Sequence, residues 1–354
     1  MKQLYLDVHV LETVPPSCVN RDDTGSPKTA VYGGKTRARV SSQAWKKAIR
    51  EVFKKEFSEQ DLGLRTKKIV EMVGEEILKL DSSQNSEKAE KLAVKALENA
   101  GLKIKNASVG TDALMFMSRK QSEELAQLIV NGESDKKLYK KALKDHPSFD
   151  MALFGRMVAS DAELNWDATC QVAHAISTHE VRTEYDYFTA VDDLDTETAA
   201  SSHIGMNEFN SSTLYRYATI NLKELYKSIG KDLSKVSEGF VKAFVESMPT
   251  GKENSYANRV LPTLVYVTLR SDLPLNLVGA FEDAVQSSDG FEKASVKKME
   301  DYAMTMYEMF AERPEYSFVT SIYDVDLLGE NESLPKLLSE LVQTLNEIVE
   351  EEVA

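Results

Sequence analysis

Within its first 55 residues the chain switches from a period of two to a helical hydrophobic period, which restricts it to a mixed α and β fold. Leu4, Leu6, Val8 and Val10 alternate with Tyr5, Asp7, His9 and Leu11, the pattern of a strand with one buried face. His9, on the other side, reads as a structural or surface residue. Pro15-Pro16 ends the strand and opens a polar, Gly-rich stretch. After it, Ser41 or Ser42 caps a helix whose apolar stripe is Trp45, Ile49, Val52 and Phe53.

Between these elements lies a basic island. From Arg21 to Lys55 there are ten Lys or Arg against three Asp or Glu, a net of +7 in a chain of net charge −14. An acidic surface repels polyanions, so the island is the candidate contact for a phosphate backbone. Lys35, Arg37 and Arg39 alternate and share one face of an extended segment. Lys46, Lys47, Arg50 and Lys54 cover the polar side of the helix, with Lys46, Arg50 and Lys54 in line at i, i+4 and i+8. Backbone N–H groups at the Ser41-Ser42 helix start, with the Gln43 amide, suit a phosphate. Gly33-Gly34-Lys35-Thr36 is similar to the end of a P-loop. That motif needs a Gly at position 29, where Thr29 stands, so a Gly-Gly turn is what remains.

Other classes are disfavoured. Cys18 and Cys170 are far apart, without the spacing of a disulfide framework or a zinc site, which fits a reducing, cytoplasmic setting. The N-terminus lacks a signal-peptide core, and no run reaches membrane-spanning length. His174 and His179 have no Cys or Ser nucleophile at a recognisable spacing, so neither a metal nor a catalytic role is assigned to them. No cofactor is expected.

Residues 65–145 read as a helical insertion containing a short strand at 112–118. Residues 149–159 return to strand alternation, with Gly155-Arg156-Met157 in the middle and the Gly marking close backbone approach. Thr169 to Val181 alternates again. Arg182 to Glu208 holds seven acidic residues and one basic, and is too long for a tight turn. Tyr187, Phe188, His203, Ile204 and Met206 near its base point to a projection that stacks on something. Further on, strands are expected at 214–222 and 260–269, with Pro262 at an edge or bulge. Helices are expected at 222–229, 234–248, 276–286, 294–313 and 335–353. From Glu330 onward seven acidic residues face one basic, so that end should avoid nucleic acid.

Taken together, residues 9–50 with FGRM (154–157), VAHAISTHEV (172–181), DYFTAVDD (186–193) and SSTLYRYATINL (211–222) carry a resemblance. The chain resembles the CasC (Cse-type) backbone subunit of Cascade, the type I-E CRISPR surveillance complex. The resemblance implies an α+β fold: an RRM-like (ferredoxin-like) palm with a helical fingers insertion and a protruding β-hairpin thumb. On this chain that gives palm at 1–64, fingers at 65–148, palm strands at 149–184, thumb at 185–210, and palm strands with C-terminal helices at 211–354. It further implies a non-catalytic subunit that oligomerises along CRISPR RNA, grips phosphates, kinks the guide at regular intervals and displays bases for target DNA. Its partners would be CRISPR RNA, target DNA through the guide, other copies of itself and other Cascade subunits. By similarity, Arg21, Ser41, Gln43, Lys46 and Arg50 match phosphate-holding positions. Met157 matches the residue beside the displaced base, and Phe188 and Thr189 match thumb residues at the kink. The residues themselves add Lys35, Arg37, Arg39, Ser42, Lys47, Arg156, His203 and Met206 as RNA-binding candidates. A metal-dependent ribonuclease using Asp22, Asp23 or the Asp192–Asp195 run is the alternative. A purely structural oligomer, with the island as a protein contact, is a third reading.

Overall fold

The structure is a computed structural model that describes residues 1–105, 110–158, 161–189 and 204–353. Its elements in chain order begin with β1 (Tyr5–Ser17), β2 (Thr29–Tyr32), β3 (Lys35–Val40) and α1 (Ser42–Glu56). Then come β4 (Gly63–Thr66), α2 (Ile69–Leu80), α3 (Ser86–Asn99), β5 (Met115–Ser118), α4 (Arg119–Val130), α5 (Lys136–Lys144) and α6 (Phe149–Phe154). Short strands β6 (Cys170–Val172) and β7 (Ala175–Ser177) precede β8 (Glu184–Thr189) and the long β9 (Ile204–Asn221). The chain continues through α7 (Leu222–Ile229), α8 (Leu233–Glu246), α9 (Glu253–Tyr256), β10 (Leu264–Arg270), α10 (Glu292–Met309), β11 (Tyr316–Ser321) and α11 (Leu334–Val353). Two compact units result. The sheet unit comprises Lys2–Val52, Val172–Thr219 and Phe240–Ala354; the helical unit comprises Met1, Phe53–Gln171 and Ile220–Gly239.

The sheet unit is built on the strand order β11-β10-β1-β9-β7-β3-β2. The registered pairs are antiparallel, as in Leu6↔Leu269, Ile176↔Tyr215 and Arg39↔Ile176. Inside this order, β10-β1-β9-β7 with α1 after β1 and α8 after β9 is the βαββαβ arrangement of a ferredoxin-like palm.

Both faces of β1 are buried, which corrects the one-sided strand read from the alternation. On one face, Arg216 of β9 lies with its guanidinium 3.6 Å from the Trp45 ring of α1 and 4.6 Å from the Phe244 ring of α8. Glu12 accepts from it at 2.7 Å, so both charges are buried as a pair. On the other face, Leu11, Tyr215, Tyr217 and Tyr266 pack under α10 and the short 3-10 turn Leu277–Phe281. That turn is all that forms of the helix expected at 276–286. Polar groups survive beneath this cover because they are bonded. Asp7 accepts from the Tyr217 hydroxyl at 3.0 Å and from the Leu275 N–H at 2.8 Å, and burial pushes its carboxyl up to about 6. His9 Nδ1 lies 2.8 Å from the Tyr215 hydroxyl, and burial pushes the imidazole down to about 3, so it is a neutral structural residue.

In the helical unit, stripes from α2, α3, α4 and α5 meet in one cluster through Val73, Ile77, Ala93, Leu97, Leu125 and Leu143. Asn85 caps α3, and Ser118 with Gln121 forms a capping box on α4, so local chemistry fixes where these helices start. The segment expected to be a strand at 149–159 instead begins with α6. Its residues are apolar on all sides, apart from Asp150, which accepts from Gly63 N–H at 2.9 Å and from the Ser148 hydroxyl at 2.8 Å. A six-residue run buried all round carries no period that separates helix from strand.

Candidate nucleic-acid interface

The basic island folds as a hairpin followed by a helix. Gly33 and Gly34 have φ of 58° and 72°, so the β2–β3 connection is a two-residue turn with both central residues left-handed. Gly33 is required twice over, since a Cβ there would lie 1.7 Å from the Glu282 carbonyl oxygen. Lys35 leaves the turn exposed, 3.5 Å from the Glu180 carboxylate. Arg37 does not join it. Its side chain is fully buried, donating to the carbonyls of Ser177 at 3.0 Å, Phe281 at 2.9 Å and Glu282 at 3.2 Å. This corrects its assignment to RNA: the shared face of β3 runs under the 277–282 segment before it emerges. Arg39, two residues on, is half-buried. It donates through Nε to Thr29 O and pairs through Nη1 with His174 Nδ1, each at 3.2 Å.

Ser41 is the cap of α1, accepting from Ala44 N–H at 3.3 Å, while its own N–H goes to Asn20 Oδ1 at 3.0 Å. Its hydroxyl is therefore buried and occupied, and its role is to set the helix start. The N–H groups of Ser42 and Gln43 lie in the same first turn, where no intrahelical acceptor exists. Gln43 and Lys47 are exposed, and Ser42, Lys46 and Arg50 are half-buried. Arg21 is exposed in the loop before β2. Asp22 Oδ1 in that loop accepts from the Thr24 N–H and hydroxyl and from the Ser26 N–H, which holds its carboxyl below the usual range. That is an Asx-turn, and no cluster of three metal-ligating side chains exists among the described residues. Asp192, Asp193, Asp195 and His203 lie outside the described residues.

The projection is a β-hairpin. β8 pairs antiparallel with the start of β9, with Tyr187 opposite Met206 and Phe188 opposite Gly205. Period two splits the expected apolar set over two faces. Phe188 lies across Gly205, where a Cβ would come within 2.3 Å of the ring. On Phe188's face, Phe209 meets the Tyr256 ring at 6.0 Å and Asn207 accepts from Lys252. Tyr185, Tyr187 and Met206 share the opposite face and are exposed, as is Thr189. Tyr185 was missed in the sequence, although its spacing of two from Tyr187 carries the signal.

In the helical unit, Gly155 ends α6 at φ 76°, and a Cβ there would lie 2.8 Å from Trp166 O. Close backbone approach is thus present, but at a helix end. Arg156 then turns inward and is buried. It donates to Leu164 O at 3.0 Å and 2.8 Å, Leu143 O at 2.9 Å, Phe116 O at 3.3 Å and Gln121 Oε1 at 3.2 Å. Burial pulls it down to about 10. It braces the helical unit, which corrects its assignment to RNA. Met157 points the other way, 81 % exposed, on the rim of an open depression of about 400 Å³ lined also by Arg65, Gly155, Trp166 and Ala168. Trp166 has no periodicity linking it to Met157, so no pattern in the chain marks it.

A family profile described as CT1975-like protein matches residues 6–348. The chain belongs to this family. No curated protein matches it. Among solved structures, a chain titled "CRISPR RNA-guided surveillance complex, pre-nicking" is similar at 29 % identity and a TM-score of 0.82, covering 96 % of this chain and 99 % of that one. A second, titled "CRISPR RNA-guided surveillance complex", is 28 % identical with a TM-score of 0.64 and the same coverage. No described helix is long and apolar enough to cross a membrane.

Proposed function

We propose that this family member is the CRISPR-RNA-binding backbone subunit of a Cascade-type surveillance complex. The observation that carries the reading is end-to-end correspondence, 96 % of this chain on 99 % of the other, with a chain of an RNA-guided surveillance complex. In this reading the subunit is non-catalytic, of type I-E, and stacks in several copies along one guide. Arg21, Lys35, Arg39, Ser42, Gln43, Lys46, Lys47 and Arg50 hold phosphates through charge and N–H donors, without reading sequence. Ser41 contributes by fixing the helix start. The β8–β9 hairpin acts as the thumb, unstacking bases with Phe188, Thr189 and Met206, and Met157 stands beside a displaced base. The remaining bases pair with target DNA.

The test is a salt titration of single-stranded RNA binding by wild type and Lys46→Glu/Arg50→Glu. The reading expects affinity that falls steeply with salt and a variant that binds weakly with a shallower slope. Binding indifferent to salt would favour a protein contact instead. Incubation with Mg²⁺ or Mn²⁺ and labelled RNA tests the absence of catalysis. Cleavage lost in Asp22→Ala or Asp193→Ala would overturn it.

A further inference from the structure

On the face of β3 and β7 opposite Trp45, Arg37 is covered by the 277–282 segment, but the Arg39 end is open. His174, just before β7, is exposed there and sits diagonally across the β3–β7 pair from Arg39, whose direct partner is Ile176. Arg39 Nη1 lies 3.2 Å from His174 Nδ1. A guanidinium can only donate, so Nδ1 is the acceptor and the imidazole proton belongs to Nε2. Lys28 adjoins the group: its carbonyl accepts from Arg39 N–H at 2.9 Å, and its charge, with that of Arg39, disfavours protonation of the ring. Desolvation and those two cations hold His174 below its ordinary range, so it is neutral near pH 7. Two cations and a tautomer-fixed N–H donor thus converge at one edge of the palm. Among the described residues no carboxylate pairs with either cation as Glu180 does with Lys35.

We propose that Lys28, Arg39 and His174 form a phosphate-binding notch for single-stranded RNA, in which His174, neutral in the free chain, donates through Nε2. This rests on the RNA-binding reading above. A phosphate placed against the ring takes over Arg39 as its partner and offsets the repulsion from both cations, so Nδ1 is released to take a proton and binding favours the imidazolium. By linkage, affinity then rises as pH falls through the titration of the complex, and RNA raises the pKa of His174.

The test uses side-chain ¹H–¹⁵N spectra of the full chain, whose five histidines include His9 and His179, both buried. Spectra are recorded over a pH series with and without oligouridine. RNA affinity is measured in parallel for wild type, His174→Ala and Lys46→Glu/Arg50→Glu. The proposal expects the His174 resonance to start as the Nε2–H tautomer and its titration to move to higher pH with RNA. Wild-type affinity should increase severalfold on going from about pH 8 to about pH 6, with most of that gain lost in His174→Ala. RNA that binds, and is weakened in the helix variant while the His174 titration stays put, overturns the notch alone. Failure of wild type to bind RNA at any pH overturns the notch and the RNA reading together.

Discussion

Two arginines of one strand, Arg37 and Arg39, should behave in opposite ways, and the difference is large enough to measure. Arg37→Met keeps the aliphatic stem and removes the guanidinium. Three carbonyls, those of Ser177, Phe281 and Glu282, then lose their donor inside the protein. Hydrogen bonds from a charged group contribute about 1.5–3 kcal/mol each, and two of the three share Nη2, so a loss of about 3–5 kcal/mol is expected. Arg39→Met removes a half-buried side chain that holds one carbonyl and one imidazole, and should cost about 1 kcal/mol. Binding should invert this order. Losing one phosphate contact lowers the salt slope for single strands by about 0.7, which is expected for Arg39→Met and not for Arg37→Met. Urea unfolding gives the first quantity, and RNA titration at several salt concentrations, below the unfolding transition, gives the second. An Arg37→Met protein of wild-type stability with a reduced salt slope would refute the reasoning and return Arg37 to the RNA.

Gly33→Ala should cost about 1–3 kcal/mol, because it meets both a left-handed backbone and the Glu282 carbonyl, whereas Gly34→Ala meets no neighbour and should cost less; thermal denaturation of both compares them. Arg156→Met should destabilise the chain by several kcal/mol without altering RNA affinity, and Met157→Ala should leave stability within about 0.5 kcal/mol of wild type, which urea melts will check. His9 is held neutral at about 3 in the fold against an ordinary 6.5, so the unfolded chain takes up the extra proton as pH falls. Stability from this residue is therefore present above pH 6.5 and lost below it at about 1.4 kcal/mol per pH unit; His9→Gln should remove that part of the acid sensitivity in unfolding titrations. Phe188→Ala and Met206→Ala lie on opposite hairpin faces, so their effects on 2-aminopurine fluorescence at kink positions should be independent rather than shared.

Much of the frame could be read from period and punctuation. The Gly-Gly turn, the Ser-capped basic helix and the paired strands at the base of the projection appear where local chemistry places them, whereas the first strand runs on through Pro15-Pro16 to Ser17. What could not be read depends on segments distant in sequence. Arg37 and Arg39 have the same residue type and the same alternation; only a segment 245 residues away, at Glu282, separates them. Alternation alone leaves His9 between a structural and a surface role and puts Asp7 on the same unburied side, because their partners, Tyr215 and Leu275, come from elsewhere in the chain. Arg156 looked like a presented cation beside Met157, yet a buried guanidinium with four carbonyl and amide oxygens around it differs from an exposed one only in its surroundings. In the hairpin, the apolar residues were identified but not sorted by face, because the register that puts Phe188 on Gly205 was not visible in the composition of the loop.

The proposed function requires copies of the chain to line up on RNA. The most direct measurement is binding to single-stranded RNAs of increasing length at two salt concentrations, with Lys46→Glu/Arg50→Glu as the control. The expected result is stepwise, cooperative loading that adds one protein per fixed increment of RNA, weakens with salt and disappears in the control. A single protein bound whatever the RNA length, or binding unchanged in the control, would contradict it.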